Sequence, residues 1–160
     1  MDKIPGLAPR RAALTLLDAV LRRGQPLESA LGQATWGLDK PEDRALARAI
    51  ASETLRHLPD LDALIDSATR QNLPDDAKAR MVLRLALAQA LVLETPEHAA
   101  VATALPLVDG GPRRLVHGVL GTLLRQKAAL PAIPALPDAV QMRWSPELAS
   151  LAGAAMIEPA

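Results

Sequence analysis

The chain has 160 residues, nearly half of them apolar, and its 18 basic and 18 acidic side chains cancel to a formal net charge of zero. That length accommodates one domain with a real core plus an appendage, and is too short for two full-sized domains. Cys, Phe and Tyr are absent and Trp stands only at positions 36 and 144, which excludes a disulfide framework, a thiolate metal site, a thiol nucleophile and an aromatic platform for stacked bases.

A core built from Leu, Ala, Val and Ile favours helices, because Ala and Leu lose little side-chain freedom there whereas strands prefer β-branched and aromatic residues. Neither the start, "MDKIPGLAPRR", nor any later stretch has the apolar run of a signal peptide or of a membrane span of about eighteen residues. The expectation is a soluble cytoplasmic protein with no membrane partner.

Pro9 opens the first expected helix, with Leu14, Leu17 and Leu21 on one face, Asp18 and Arg22 at i,i+4 and Gly24 as terminator. A short second helix follows Pro26 and carries Leu27, Ala30, Leu31 and Ala34 on one stripe. Asp39 and Glu42 stand at capping-box spacing ahead of a third helix read over about 40–57. "PDLDALIDSATR" is the fourth, stopped by Leu73-Pro74, and Asp75 or Asp76 is the expected cap of the fifth. That fifth segment, "AKARMVLRLALAQALVLE", is apolar nearly all round and is expected to be the central helix of a bundle, with Lys78, Arg80, Arg84 and Gln89 interrupting it. Thr95 and Pro96 form a cap and first-turn pair for a sixth helix through Val108, shortened or kinked at Pro106 and ended by "DGG".

The seventh helix is "GPRRLVHGVLGTLLRQK", residues 111–127. Leu115, Val116, Val119, Leu120, Leu123 and Leu124 share one side, leaving Arg113, Arg114, His117, Gly118, Gly121, Thr122 and Arg125 on the other. Beyond it, "LPAIPALP" is expected to be an extended connector, and "SPELASLAGAAMI" a short helix capped by Ser145. The fold class is therefore all-α, a bundle of about seven helices over 6–128 followed by a proline-rich linker and short helix over 129–160.

Catalytic chemistry finds little support. His57, His98 and His117 lack the spacing of a zinc helix, and Asp60, Asp62 and Asp66 are expected to serve the positive end of the fourth helix dipole. Gly110-Gly111 and Gly118 with Gly121 follow no strand, so no phosphate loop and no bound cofactor are expected in this chain. The cations are the stronger signal. Within 111–127 no carboxylate interleaves with Arg113, Arg114, Arg125 and Lys127, Gly118 and Gly121 flatten the middle of their face, and Arg10 and Arg11 add a second pair at the start of the first helix. Such guanidinium pairs suit phosphates, and the missing aromatics favour backbone over base readout.

The order of "RRAALTLLDAVLRRGQPLESAL", "DRALARAIASETLRHLPDLDALI", "VLRLALAQALVLETPEHAAVATALPLV" and "LVHGVLGTLLR" resembles NusB-like domains, most closely the version at the N-terminus of the bacterial ribosomal RNA small-subunit methyltransferase B family of 5-methylcytosine enzymes. The resemblance runs over about 6–128 and is most specific at Asp43 to Ala47, from "LRLALAQ" to "HAAV", and at Val116 to Leu120 with Arg125. It implies an all-helical RNA-binding bundle with Arg10 and Arg11 near the RNA, and the family usually has Asn where His117 stands; with the acid-free face of the seventh helix, the expected RNA-binding residues are Arg10, Arg11, Arg113, Arg114, His117 and Arg125. It also implies partners: ribosomal RNA, a methyltransferase domain in cis that uses S-adenosylmethionine and cysteine chemistry, or, for a free-standing NusB, a ribosomal protein in transcription antitermination. The cysteine-free chain is not itself that enzyme. Two alternatives stand beside the accessory RNA-binding domain: a free-standing antitermination factor, and a protein-docking scaffold without direct RNA contact.

Overall fold

The computed structural model describes residues 4–132 and 134. Most of the proline-rich connector and the short helix expected after Ser145 lie outside the described residues. Among the described residues seven α-helices run in chain order, α1 Leu7–Leu21, α2 Leu27–Ala34, α3 Pro41–Arg56, α4 Leu58–Ser67, α5 Lys78–Leu91, α6 Glu97–Ala104 and α7 Gly110–Arg125, with a 3₁₀ turn at Leu105–Leu107 between the last two. No strand occurs among the described residues.

α5 is the hub, as its all-round apolar sequence requires. Every residue from Ala79 to Gln89 is buried, and the helix packs against α1, α3, α4, α6 and α7. With no buried Phe, Tyr or Trp side chain among the described residues, contact is made mainly by Leu and Ala. Ala12 and Ala13 of α1 and Ala47 of α3 share a cluster with Leu17, Ile50 and Leu85, and such small faces let helix backbones approach closely. The largest cluster joins Leu7, Leu61, Ile65, Leu83, Leu87, Leu107, Val116, Leu120 and Leu123, so both ends of the domain's sequence contribute to one core.

The polar residues inside α5 are where sequence and structure part. Arg80 and Arg84, expected only as interruptions, are 3% exposed, and buried guanidinium groups persist only when paired. Asp62 accepts from Arg80 Nη1 at 3.0 Å, from Arg84 Nε at 2.8 Å and, through its second oxygen, from Arg84 Nη2 at 3.0 Å. Asp66 accepts from Arg80 Nη2 at 2.6 Å, and the carbonyls of Leu73 and Asp75 take further bonds from Arg80 Nε and Arg84 Nη1. Burial disfavours the charge on Arg80, but the hydrogen bonds and charges of Asp66 and Asp62 outweigh it and raise its pKa. Asp62 and Asp66 therefore clamp α4 to α5 rather than serving the helix dipole; only Asp60 stands in the first turn of α4.

The expected side-chain caps are likewise not made. α3 starts after Lys40, α5 after Ala77 and α6 after Pro96, none with a capping side chain, so Asp39, Asp75, Asp76 and Thr95 do not cap. Prolines define the starts instead: Pro41 and Pro59 occupy the first turns of α3 and α4, where a missing N–H costs nothing. Pro106 acts as expected, ending α6 at Ala104 and tightening the chain into the 3₁₀ turn. "DGG" opens α7 rather than merely ending α6, Gly110 taking φ +58° at its start.

Candidate nucleic-acid interface

α7 presents the face its periodicity requires. Val116, Val119, Leu120 and Leu123 are buried, Leu115 and Leu124 half-buried, and Arg113, Arg114, His117, Gly118 and Arg125 exposed. At about 100° per residue, Arg114, Gly118, Gly121 and Arg125 fall within about 60° of the helix circumference and form a ridge. The two flanks of that ridge differ. On one side Arg114, Gly118 and Thr122 wall a groove with Thr69, Arg70 and Gln71 of the α4–α5 connection. On the other, Gly121 and Arg125 share a groove with Glu97 and His98 of α6.

The six candidate residues therefore do not make one uniform patch. Arg113 folds back on the start of its own helix, donating from Nε to the Val108 carbonyl at 2.7 Å and from Nη2 to Asp109 at 3.4 Å. Asp109 lies just outside the acid-free stretch, so this cation is partly neutralised after all. Arg125 lies over Gly121, its Nη1 only 2.9 Å from where a Cβ would stand, so the glycine makes room for the guanidinium rather than leaving flat backbone. At Gly118 nothing lies within 4 Å of that position, and there the surface is open as expected. His117 is exposed beside the ridge, about 40° outside its edge.

Arg10 and Arg11 diverge. Arg10 turns inward, donating from Nε to Gln89 Oε1 at 2.8 Å and from Nη1 to the Gly6 carbonyl at 3.2 Å, which ties the start of α1 to the end of α5. Burial lowers its pKa, against the opposing pull of Asp43. Gly6 is required there twice over: its φ is +80°, and a Cβ would stand 2.5 Å from Arg10 Nη1. Arg11 remains on the surface.

Two residues outside the candidate set belong to the surface chemistry. Arg70 makes no hydrogen bond or ion pair with the described residues and lines the same groove as Arg114. Sequence offered no signal for it, since it stands at the end of a helical pattern in a connection. Trp36 is 88% exposed between α2 and α3. Among the described residues no group of His, Asp and Glu side chains could hold a metal ion, and no helix is long and apolar enough to cross a membrane.

Comparison with known proteins gives this surface its context. The chain is 34% identical over 131 residues to the ribosomal RNA small subunit methyltransferase B of Xanthomonas campestris pv. campestris, covering 80% of this chain and 30% of that protein. It is 33% identical over 147 residues to the protein of that name from Xylella fastidiosa, covering 89% of this chain and 33% of that one. The chain thus spans about a third of the length of these relatives. Its fold matches a chain in the crystal structure of a plectonemic RNA supercoil, with a TM-score of 0.70 and 18% identity over 76% of this chain and 94% of that one. It also matches a chain in the crystal structure of antitermination factors NusB and NusE in complex with dsRNA, with a TM-score of 0.66 and 18% identity over 75% of this chain and 96% of that one. The NusB family profile matches residues 7–125, and by that match, nearly the whole of the helical bundle, the chain belongs to the NusB family.

Proposed function

We propose that this chain is a cytoplasmic RNA-binding domain that holds ribosomal RNA for a cytosine-5 methyltransferase domain in the same polypeptide. The observation that carries the reading is the pair of relatives, both ribosomal RNA small subunit methyltransferase B proteins and both about three times as long as the match. The exposed guanidinium groups of Arg114 and Arg125 on α7, with Arg70 beside them, support it, because such groups bind phosphates in a bidentate way. In this reading residues 6–128 are the RNA-binding unit and 129–160 lead toward the catalytic domain.

The residues present do not fit S-adenosylmethionine. A nucleotide-type site needs a strand, a glycine-rich turn and a helix start, and the described residues contain no strand. Nor does the sequence hold a thiol to add to cytosine. In this reading the chain binds and orients RNA, and the bond-making step belongs to the catalytic domain. A second reading, docking to a protein without RNA contact, is favoured by Trp36, since an exposed Trp is the side chain most often found anchoring an interface. The ribosomal protein partner and the antitermination role draw on the shared fold alone.

The test is fluorescence anisotropy of a labelled single-stranded ribosomal RNA segment over a salt series. Each phosphate contact contributes about 0.7 to the log-log salt slope for a single strand, so an Arg114→Ala, Arg125→Ala variant lowers the slope by about 1.4. A parent chain that binds no RNA at low salt overturns the reading.

A further inference from the structure

The groove between the α4–α5 connection and α7 has a composition unlike its neighbours. Its volume is about 570 Å³, within the ordinary range for small-ligand sites. No carboxylate lines it, whereas the grooves lined by Asp62, by Asp18 and by Glu97 each present at least one. Arg70 and Arg114 stand on its two walls, one from each element, and neither makes a hydrogen bond or ion pair with the described residues. Two unpaired guanidinium groups around a cleft without acids leave an uncompensated positive potential, which a low-dielectric wall concentrates. Thr69 lines the same wall, and its hydroxyl is shielded from solvent with no hydrogen-bond partner among the described residues.

The floor is apolar, with Leu73, Leu115 and Val119 beneath the cations. An inorganic phosphate would satisfy the arginines and leave that floor wet. A duplex presents phosphates but keeps its bases stacked inside. A single nucleotide turned out of its stack offers both an apolar face and phosphates on either side. Gly118 leaves the groove accessible at the middle of α7, since nothing lies within 4 Å of where its side chain would begin.

We infer that this groove takes one unstacked nucleotide of a single-stranded RNA segment, its base or sugar against Leu73, Leu115 and Val119 and its flanking phosphates on Arg70 and Arg114. The inference rests on the RNA-binding reading and deepens it by naming the surface and the form of RNA.

Gly118→Leu separates the two levels. It fills the groove while leaving every cation in place, and Leu is a better helix former than Gly, so the helix is retained. Anisotropy with the full chain should show single-stranded RNA bound at least tenfold more weakly by Gly118→Leu, with binding of the same sequence as a duplex changed less than twofold. Arg70→Ala, a change on an exposed side chain, should lower the single-strand salt slope by about 0.7. A ribonucleoside monophosphate should compete for the groove better than inorganic phosphate at equal concentration. Should Gly118→Leu bind single-stranded RNA like the parent while the arginine variants weaken it, contact is electrostatic over an open surface and the groove is not the site, yet the RNA reading stands. Equal competition by inorganic phosphate overturns the nucleotide and leaves a bare anion site. A parent chain that binds neither form of RNA brings down both.

Discussion

Asp62→Ala is the sharpest probe of how this bundle holds together. The substitution removes three charge-assisted hydrogen bonds, to Arg80 Nη1, Arg84 Nε and Arg84 Nη2, from two guanidinium groups that are each 3% exposed. Removing one partner of a buried pair costs about 3–5 kcal/mol, because the remaining charge is left without compensation. Two features place the expected cost at the lower end. The Asp62 side chain is 25% exposed, so water reaches the vacated space, and Arg80 keeps Asp66 and the Leu73 carbonyl while Arg84 keeps the Asp75 carbonyl. The expectation is about 3 kcal/mol, or a fall in Tm of about 10 °C for a domain of this size. Asp66→Ala is the internal comparison: its side chain is 43% exposed and it takes a single hydrogen bond, so about 1 kcal/mol is expected. Urea unfolding followed by far-ultraviolet circular dichroism measures both. A loss under about 0.5 kcal/mol for Asp62→Ala, or a larger loss for Asp66→Ala, would refute the clamp. Its placement on the α4–α5 seam also makes Asp62 unsuitable as a neutral control in RNA-binding work.

Four further outcomes follow from the same structure. Leu87→Ala, at a fully buried position of α5, should cost about 2–5 kcal/mol in the urea assay. Arg10→Ala should cost about 1–2 kcal/mol through the lost Gln89 and Gly6 bonds, so a change in RNA affinity at this position has to be read beside a melting curve. The Arg22 hydrogen bond holds the Asp18 carboxyl below its ordinary range, so the folded chain binds fewer protons there than the unfolded one. The stability Asp18 adds is then complete above the unfolded value of about 4 and lost as pH falls through the depressed native value, and Asp18→Asn should differ from the parent at neutral pH but not in strong acid. Trp36→Ala should leave stability within about 0.5 kcal/mol, because the side chain is almost wholly outside the fold.

What the sequence disclosed was what depends on periodicity. The apolar run of α5 and the Leu and Val stripe of α7 are one-dimensional patterns, and both helices lie where those patterns put them. Helix order and the break at Pro106 were legible for the same local reason. Pairings across elements were not. Nothing in "KARMVLRLALAQ" says that Arg80 and Arg84 meet aspartates 14 to 22 residues earlier, or that Arg10 reaches Gln89 at a separation of 79. Capping failed as a guide because Pro41, Pro59 and Pro96 mark helix starts through φ alone, while the nearby acids and Thr95 contribute no side-chain cap. The acid-free count over α7 misled in a related way, since Asp109, one turn upstream, reaches Arg113. Arg70 escaped notice because its significance lies in facing Arg114 across a groove, a relation only the folded chain creates.

α2 stands apart from this economy of contacts. Ala30 is its one buried residue, and it meets Leu16, Ala19 and, from α3, Ala51 in the smallest core cluster of the described residues, with half-buried Leu27, Leu31 and Ala34 packed against it and the ion pair of Arg48 and Glu28 as a further tie to α3. A helix held by so little apolar surface opens at a lower free energy than the hub does, and its amides should exchange with solvent well before those of α5. Trp36 and Gly37 beyond α2 are exposed, whereas Leu38 is buried with Met81 and Leu85 of α5, so changes of length or sequence should be tolerated before Leu38 and not at it. Changes in α2 leave the face that α7 presents as it is, because α2 and α7 share no core cluster.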